Sequence, residues 1–334
     1  MTTSMIAAII TKNKYKVIFL VAMLVLLVLA PQFVSRFTVT LITLCFVYSI
    51  LAMSLDLLAG YMGYASLGHA AFFGVAAYSV AIANTKMGYS FLPSVIFSLA
   101  ITIFLALIFG LLVSSLKGVQ FTLVNLALGQ VIWGVAYRWY NLTGGDDGLR
   151  GVARPEIGSL VLRGDSFYYF ALIVFVVSLI CLVMLVQSPF GQTIRGIKLS
   201  ESRMRVLGYN VFLHKYLNYI IAGFFAGVAG ILMVYFNTYI GPSSLEVFAS
   251  ASALLMVLVG GAGTLFGPII GASFVVLLEN FFSAQTERWM MIMGLLYVSV
   301  VLFLPGGIFG LFKNLINRIF SRKIQKPVSD SIDK

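Results

Sequence analysis

Apolar stretches of membrane-crossing length alternate with short polar segments along nearly the whole chain. A helix needs roughly 20 apolar residues to cross a bilayer core of about 30 Å. Such runs fall at 17–34, 37–58, 62–83, 91–113, 118–140, 166–187, 216–240, 265–282 and 289–308, with a shorter one at 247–260. The pattern predicts an all-α, polytopic membrane protein of about ten transmembrane helices, some short or broken, in a single domain over 1–334.

Small residues recur every fourth position in several runs: Ser66, Ala70 and Gly74; Gly223 and Gly227, beside Ala226 and Gly230; Gly263, Gly267 and Gly271. That spacing lets helix backbones approach closely in lipid. Gly260, Gly261, Gly263, Gly267 and Pro268 are denser than helix packing requires and predict a bent or re-entrant turn where the short run ends.

Two polar segments interrupt the pattern. The segment 141–165 is built from turn chemistry, with Gly144, Gly145, Asp146 and Asp147 at its head, and offers either a binding surface or an ordinary connection. The other, Gln187 to Lys215, holds Arg195, Lys198, Arg203, Arg205 and Lys215 against one acid, Glu201. Loops rich in Lys and Arg stay on the cytoplasmic side. Ser188-Pro189 reads as an N-cap with proline at the first helical position, and Glu201 precedes Arg205 by four residues, so a short cytoplasmic helix is predicted over part of 188–215. It is either a solvated basic loop or a docking element.

Charge fixes the orientation. With Lys12, Lys14 and Lys16 inside, six crossings bring the central loop inside and an even number of further crossings bring the basic tail 309–334 inside, so both termini are cytoplasmic. Lys and Arg then divide into 15 inside and 7 outside. The first run, preceded by those lysines, resembles a signal peptide, but Pro31 follows Ala30 directly and it reads as an uncleaved span. The chain is 60% hydrophobic and only 10% charged, and its net charge of +11 sits in short segments flanking apolar runs, which points to membrane lipid and not to nucleic acid.

Catalytic chemistry is sparse. No Gly-Lys dipeptide occurs, so the phosphate-cradling loop is missing and ATP chemistry belongs to a partner. His69 and His214 are the only histidines, Cys45 and Cys181 fall inside apolar runs, and no metal site or catalytic triad is predicted. Asp56, Arg138 and Glu279 lie near span ends from which side chains reach water, leaving no mid-span acid for a proton relay. The chain is therefore read as a non-enzyme, with a secondary carrier or channel as the competing class and a lipid-processing enzyme as the third. His69 either packs on the small-residue face of the third span or lines a substrate path; Tyr61, Tyr64, Ser66 and Phe72 share that choice.

The run from Ser54 through Gly60-Tyr61-Met62-Gly63-Tyr64-Ala65-Ser66-Leu67-Gly68-His69 to Gly74 closely resembles a signature of the branched-chain amino acid ABC importer permeases. Leu142 to Leu149, Ser188-Pro189-Phe190-Gly191 through Glu201 to Gly208-Tyr209-Asn210, and Gly260 to Pro268 agree in order and spacing. The outer Thr-Gly-Gly loop and the extra first span favour the longer of the family's two permease types. Tyr64 stands where the family often has Gln, and Met204 where it often has Ala.

The resemblance implies an inner-membrane permease with two ATP-binding cassette subunits below, a second permease subunit beside it and an extracytoplasmic binding protein above, facing Gly144, Gly145, Asp146 and Asp147. ATP and magnesium would sit on partner subunits, with no cofactor on this chain. Arg195, Lys198, Glu201, Arg203, Arg205, Gly208 and Asn210 would form the coupling element. Substrates would be leucine, isoleucine and valine, with urea or short amides as the alternative.

Overall fold

A computed structural model describes residues 14–158, 160–303 and 307–308. The described chain is all-α, apart from two-residue strands. It runs through α1 (Lys14–Phe33), α2 (Arg36–Asp56), a π-helical turn (Leu57–Met62), α3 (Ala70–Thr85), α4 (Phe91–Val113), α5 (Gly118–Arg138) and the short α6 (Tyr140–Thr143). Beyond the loop come α7 (Asp165–Gln187), α8 (Pro189–Leu199), α9 (Glu201–Val206), α10 (Val211–Asn237), α11 (Val247–Gly260), α12 (Phe266–Ser283) and α13 (Trp289–Phe303). Six stretches are long and apolar enough to cross a membrane: α2 with its π turn, α4, α5, α7, α10 and α12. Four shorter apolar helices, within α1, α3, α11 and α13, complete the predicted set. The chain is a polytopic membrane protein.

At the centre, α10 packs on α2, α3 and α4, and α2 packs on α12. Glycines set the approach: a methyl group on Gly227 would stand 2.8 Å from Thr102, and one on Gly230 would overlap the carbonyl of Phe73.

The third predicted span is broken. Its helix starts at Ala70, and residues 63–69 thread into the bundle as irregular backbone, beginning at Gly63, whose φ is +82°. Ser66 lies outside the helix and His69 is the residue that caps it, so neither sits on a helical small-residue face with Ala70 and Gly74. Hydropathy could not show this, because the residues on both sides of the break are equally apolar. Irregular backbone survives here because protein surrounds it: Thr122 Oγ1 donates to the carbonyl of Ala65 (2.8 Å), and Ser250 Oγ accepts from the amide of Ala70 (2.9 Å).

The eighth run is the counterpart. The 14 residues of α11 reach only about 21 Å, and the approach to it is a 3₁₀ turn, Pro242–Leu245, that packs on Gly74. Two broken elements thus meet through Ser250 and Leu245.

The segment 141–165 is tied down. Leu149–Arg150 (β1) pairs antiparallel with Tyr239–Ile240 (β4), Glu156–Ile157 (β2) pairs with Leu160–Val161 (β3), and Asn84 accepts from the amide of Ala153 at 2.7 Å. Gly144 and Gly145 adopt positive φ, while Asp146 and Asp147 project as exposed side chains. Lys12 and the basic tail 309–334 lie outside the described residues.

With Cys45 and Cys181 removed, cysteines at the exposed positions Ala153 and Ser202 are expected to react with impermeant reagent from opposite sides of the membrane. Labelling of both from one side would overturn the orientation.

Candidate functional site

The segment after α7 forms two helices. Ser188 caps α8 by accepting from the amide of Gly191, with Pro189 in the first turn, and Ser200, in extended backbone, caps α9 by accepting from the amide of Arg203. Gly208, at φ +85°, ends α9: its amide bonds to Arg205 O and that of Tyr209 bonds to Met204 O. Asn210 Oδ1 then accepts from the amide of Leu213 and starts α10. Gly208 and Asn210 therefore shape the turn. Met204 is buried with Ile197 and Val211 inside this element, where Gly196 leaves it room.

The bundle end that carries α8 and α9 is its basic face. Because α10 begins at Val211, Lys215 belongs to that helix and not to the preceding loop. Its side chain is 2% exposed, and its ammonium donates to Glu201 Oε1 (3.0 Å) and to the carbonyl of Leu116 (2.6 Å). Tyr64 also donates to Glu201 Oε1, and the Lys215 ammonium lies 4.4 Å from the centre of the Tyr64 ring. Lys117 and Arg205 approach the other oxygen at 3.6 and 3.5 Å. Arg205, the partner expected from spacing, is thus one of several and, like Lys117, an exposed one. Burial opposes the Glu201 charge, but the hydrogen bonds from Tyr64 and Lys215 and the nearby charges of Lys215 and Lys117 outweigh it, holding the carboxyl below its ordinary range.

The same helices touch the π turn. Lys198 donates to the carbonyl of Gly60 (2.6 Å), and the Arg195 guanidinium lies 4.9 Å from the Tyr61 ring centre. Asn218 Nδ2 also donates to a carbonyl of the turn, Leu57 O, at 2.9 Å. Tyr61 and Tyr64 consequently stand with the basic-face group, apart from His69.

Asp56 links this turn to the glycine-rich one. Expected to reach water, it is fully buried, and its carboxylate accepts from the amides of Gly263 (2.7 Å) and Leu265 (3.2 Å). The segment between Gly260 and Phe266 forms a turn, with Gly261 at φ +112° and Gly263 at φ +83°. A methyl group on Gly60 would overlap both Asp56 and the amide of Gly263, and one on Gly260 would overlap Gly267, beside Pro268. Glu279, the other acid expected to reach water, is partly buried, with Ser252 and Tyr297 each 3.5 Å from Oε1.

Deeper in, Ser54 donates to Leu51 O, so its oxygen accepts from His69 Nε2 at 2.9 Å. That leaves His69 Nδ1 as a bare acceptor. Neither it nor the buried Ser66 hydroxyl has a partner in the protein. Phe72 packs edge-on against His69 and Tyr219, and Tyr219 donates to Asn125 Oδ1 (2.5 Å). Asn125 and Tyr219 are the eighth and ninth residues of their helices, placing this layer about 10–12 Å in from the basic ends of α5 and α10.

A buried polar layer thus lies above a π turn that a cluster of basic-face helices grips. Residues 37–301 match the model of the branched-chain amino acid transport system permease component. The chain belongs to that family. Among its relatives, the high-affinity branched-chain amino acid transport system permease protein LivM of Escherichia coli (strain K12) is 28% identical, and its counterpart in Salmonella typhimurium (strain LT2) is 26% identical; each alignment covers 87% of this permease and 74% of the relative. No solved structure matches.

Sequence reasoning did not single out Asp56, Gly60, Lys117, Asn125, Asn218 or Tyr219 of this permease as site residues. Asp56 alone carried a signal, being an acid in an apolar run four residues before a glycine.

Proposed function

We propose that this permease forms the membrane path of an ATP-driven importer of branched-chain amino acids, and that α8 and α9 couple it to ATPase subunits that hold the ATP and magnesium. The observation that carries the reading is the tip of those helices, where Leu199, Val206 and Leu207 are 84, 88 and 64% exposed beside Arg203 and Arg205. Large apolar side chains left open among guanidinium groups suit a protein partner. The tip is also fastened to the transmembrane bundle through Glu201, Lys198 and Arg195, so a push on it reaches the π turn, Asp56 and the glycine-rich turn as one body.

Ser66, His69 and Phe72 are the residues of choice for the substrate. Two buried polar atoms without protein partners, beside aromatic rings and the start of α3, suit the polar and apolar halves of a hydrophobic amino acid. The exposed Asp146 and Asp147 suit an extracytoplasmic binding protein, and a second permease subunit would complete the path.

Gentle detergent extraction is expected to retain two soluble ATPase chains and a second permease. After reconstitution with ATP inside, the complex should take up leucine in preference to urea. Leucine uptake by the chain alone, driven by an ion gradient, would overturn the coupling role; uptake of urea but not leucine would overturn the substrate.

A further inference from the structure

On the face opposite the coupling helices lies a cavity of about 560 Å³ between the starts of α2 and α7, the end of α10 and the 149–164 loop. Three arginines from different segments, Arg36, Arg154 and Arg163, line it, with Asp165 as the one acid. Among the described residues none of the three forms an ion pair, and Asp165 pairs with none of them. Tyr235, itself buried, also lines the cavity. Only 7 of the 22 basic residues are assigned to this face, and three of them gather here.

We infer that this cavity holds the phosphodiester headgroup of an anionic phospholipid from the outer leaflet. The net charge of the lining favours a phosphate anion, and the guanidinium forks match its several acceptor oxygens. Two observations favour a lipid over a soluble anion. Val39 and Phe167 supply an apolar wall. Phe33 and Phe37, on either side of Arg36 in sequence, are large apolar side chains that protein leaves uncovered and that acyl chains would cover. A bound lipid would pin the outer loop, through Arg154 and Arg163, to the first crossings.

The test uses the complex as extracted, exchanged into phosphatidylcholine bilayers with and without phosphatidylglycerol, and reads retained lipid by native mass spectrometry. Phosphatidylglycerol should be retained through delipidation and should raise the Tm. The double variant Arg154→Gln, Arg163→Gln should retain about tenfold less or worse, as expected for the loss of charge-assisted bonds. Both side chains are exposed and unpaired, so membrane level should not change. Lys86→Gln with Arg138→Gln, on the same face outside the cavity, should retain lipid normally. Unchanged retention in the cavity variant, or equal loss in the control, would overturn the site. Equal protection by soluble glycerol phosphate would overturn the lipid assignment. So would loss of an acidic extracytoplasmic partner with lipid retention unchanged.

Discussion

Replacing Asp56 with Ala is expected to reduce leucine uptake by the reconstituted complex at least tenfold while the permease remains in the membrane. Asp56 is fully buried, and its two oxygens take the amides of Gly263 and Leu265. Removing it leaves the buried N–H of Leu265 without an acceptor, at a cost of about 1–3 kcal/mol, and frees the part-buried N–H of Gly263 as well. The strain falls on a turn that already holds two glycines and Leu265 at positive φ, so the turn should loosen before the bundle does. Gly60→Ala should give the same defect by steric means, because the added methyl overlaps Asp56 and the Gly263 amide. Gly263→Leu forces a branched side chain into left-handed backbone 3.1 Å from Gly60 O, and should match it. Uptake is measured against membrane level on the same vesicles. Normal transport by Asp56→Ala and Gly263→Leu together would show that this junction transmits nothing.

The apolar runs located the helices because burial in lipid and burial in protein both demand them. The bounds of α4 and α11 match the runs residue for residue. The same fact hid the break at 63–69: Gly60, Gly63 and Gly68 announce flexibility, but only the contacts with Thr122, Ser250 and Asn125 decide where the helix stops. Capping chemistry made Ser188-Pro189 legible as a helix start, whereas Ser200 looked like one more polar residue in a basic loop. Glu201 was legible as an acid among bases, and spacing offered Arg205. Its closer partners, Tyr64 and Lys215, come from elements 137 and 14 residues away, and no local pattern carries that information. Tyr64 and Tyr61 read as path residues because aromatic side chains in a signature suit either role. Their distance from His69 follows from the π turn and the break, not from composition.

Glu201→Arg is expected to leave the permease in the membrane, lower uptake at least tenfold and separate ATP hydrolysis from transport. Lys215 is almost wholly buried and draws its compensation from Glu201 and the carbonyl of Leu116. Removing one member of a buried pair costs about 3–5 kcal/mol, chiefly through the charge left behind. An arginine adds repulsion from Lys215, Lys117 and Arg205 at once. The lost energy belongs to the seam between α9 and the ends of α4, α5 and α10, so α9 should detach while the transmembrane helices stay packed. Glu201→Gln keeps the shape and one acceptor and should be milder, and Tyr64→Phe, which removes a single hydrogen bond, milder again. Exchanging Arg203 and Arg205 for Lys leaves the contacts of Glu201 with Tyr64, Lys215 and Lys117 in place and perturbs chiefly the exposed tip, so retention of the ATPase subunits should fall while α9 stays docked. Because the folded Glu201 carboxyl lies below its ordinary range, the seam's stabilisation is fully present above the usual glutamate value of about 4.3 and is lost as pH falls through the lowered folded value. At neutral pH, therefore, Glu201 is charged in the wild-type seam and only the variants should uncouple. ATPase activity, uptake and subunit retention are read on one preparation, and normal values of all three for Glu201→Arg would reduce α8 and α9 to a topological anchor.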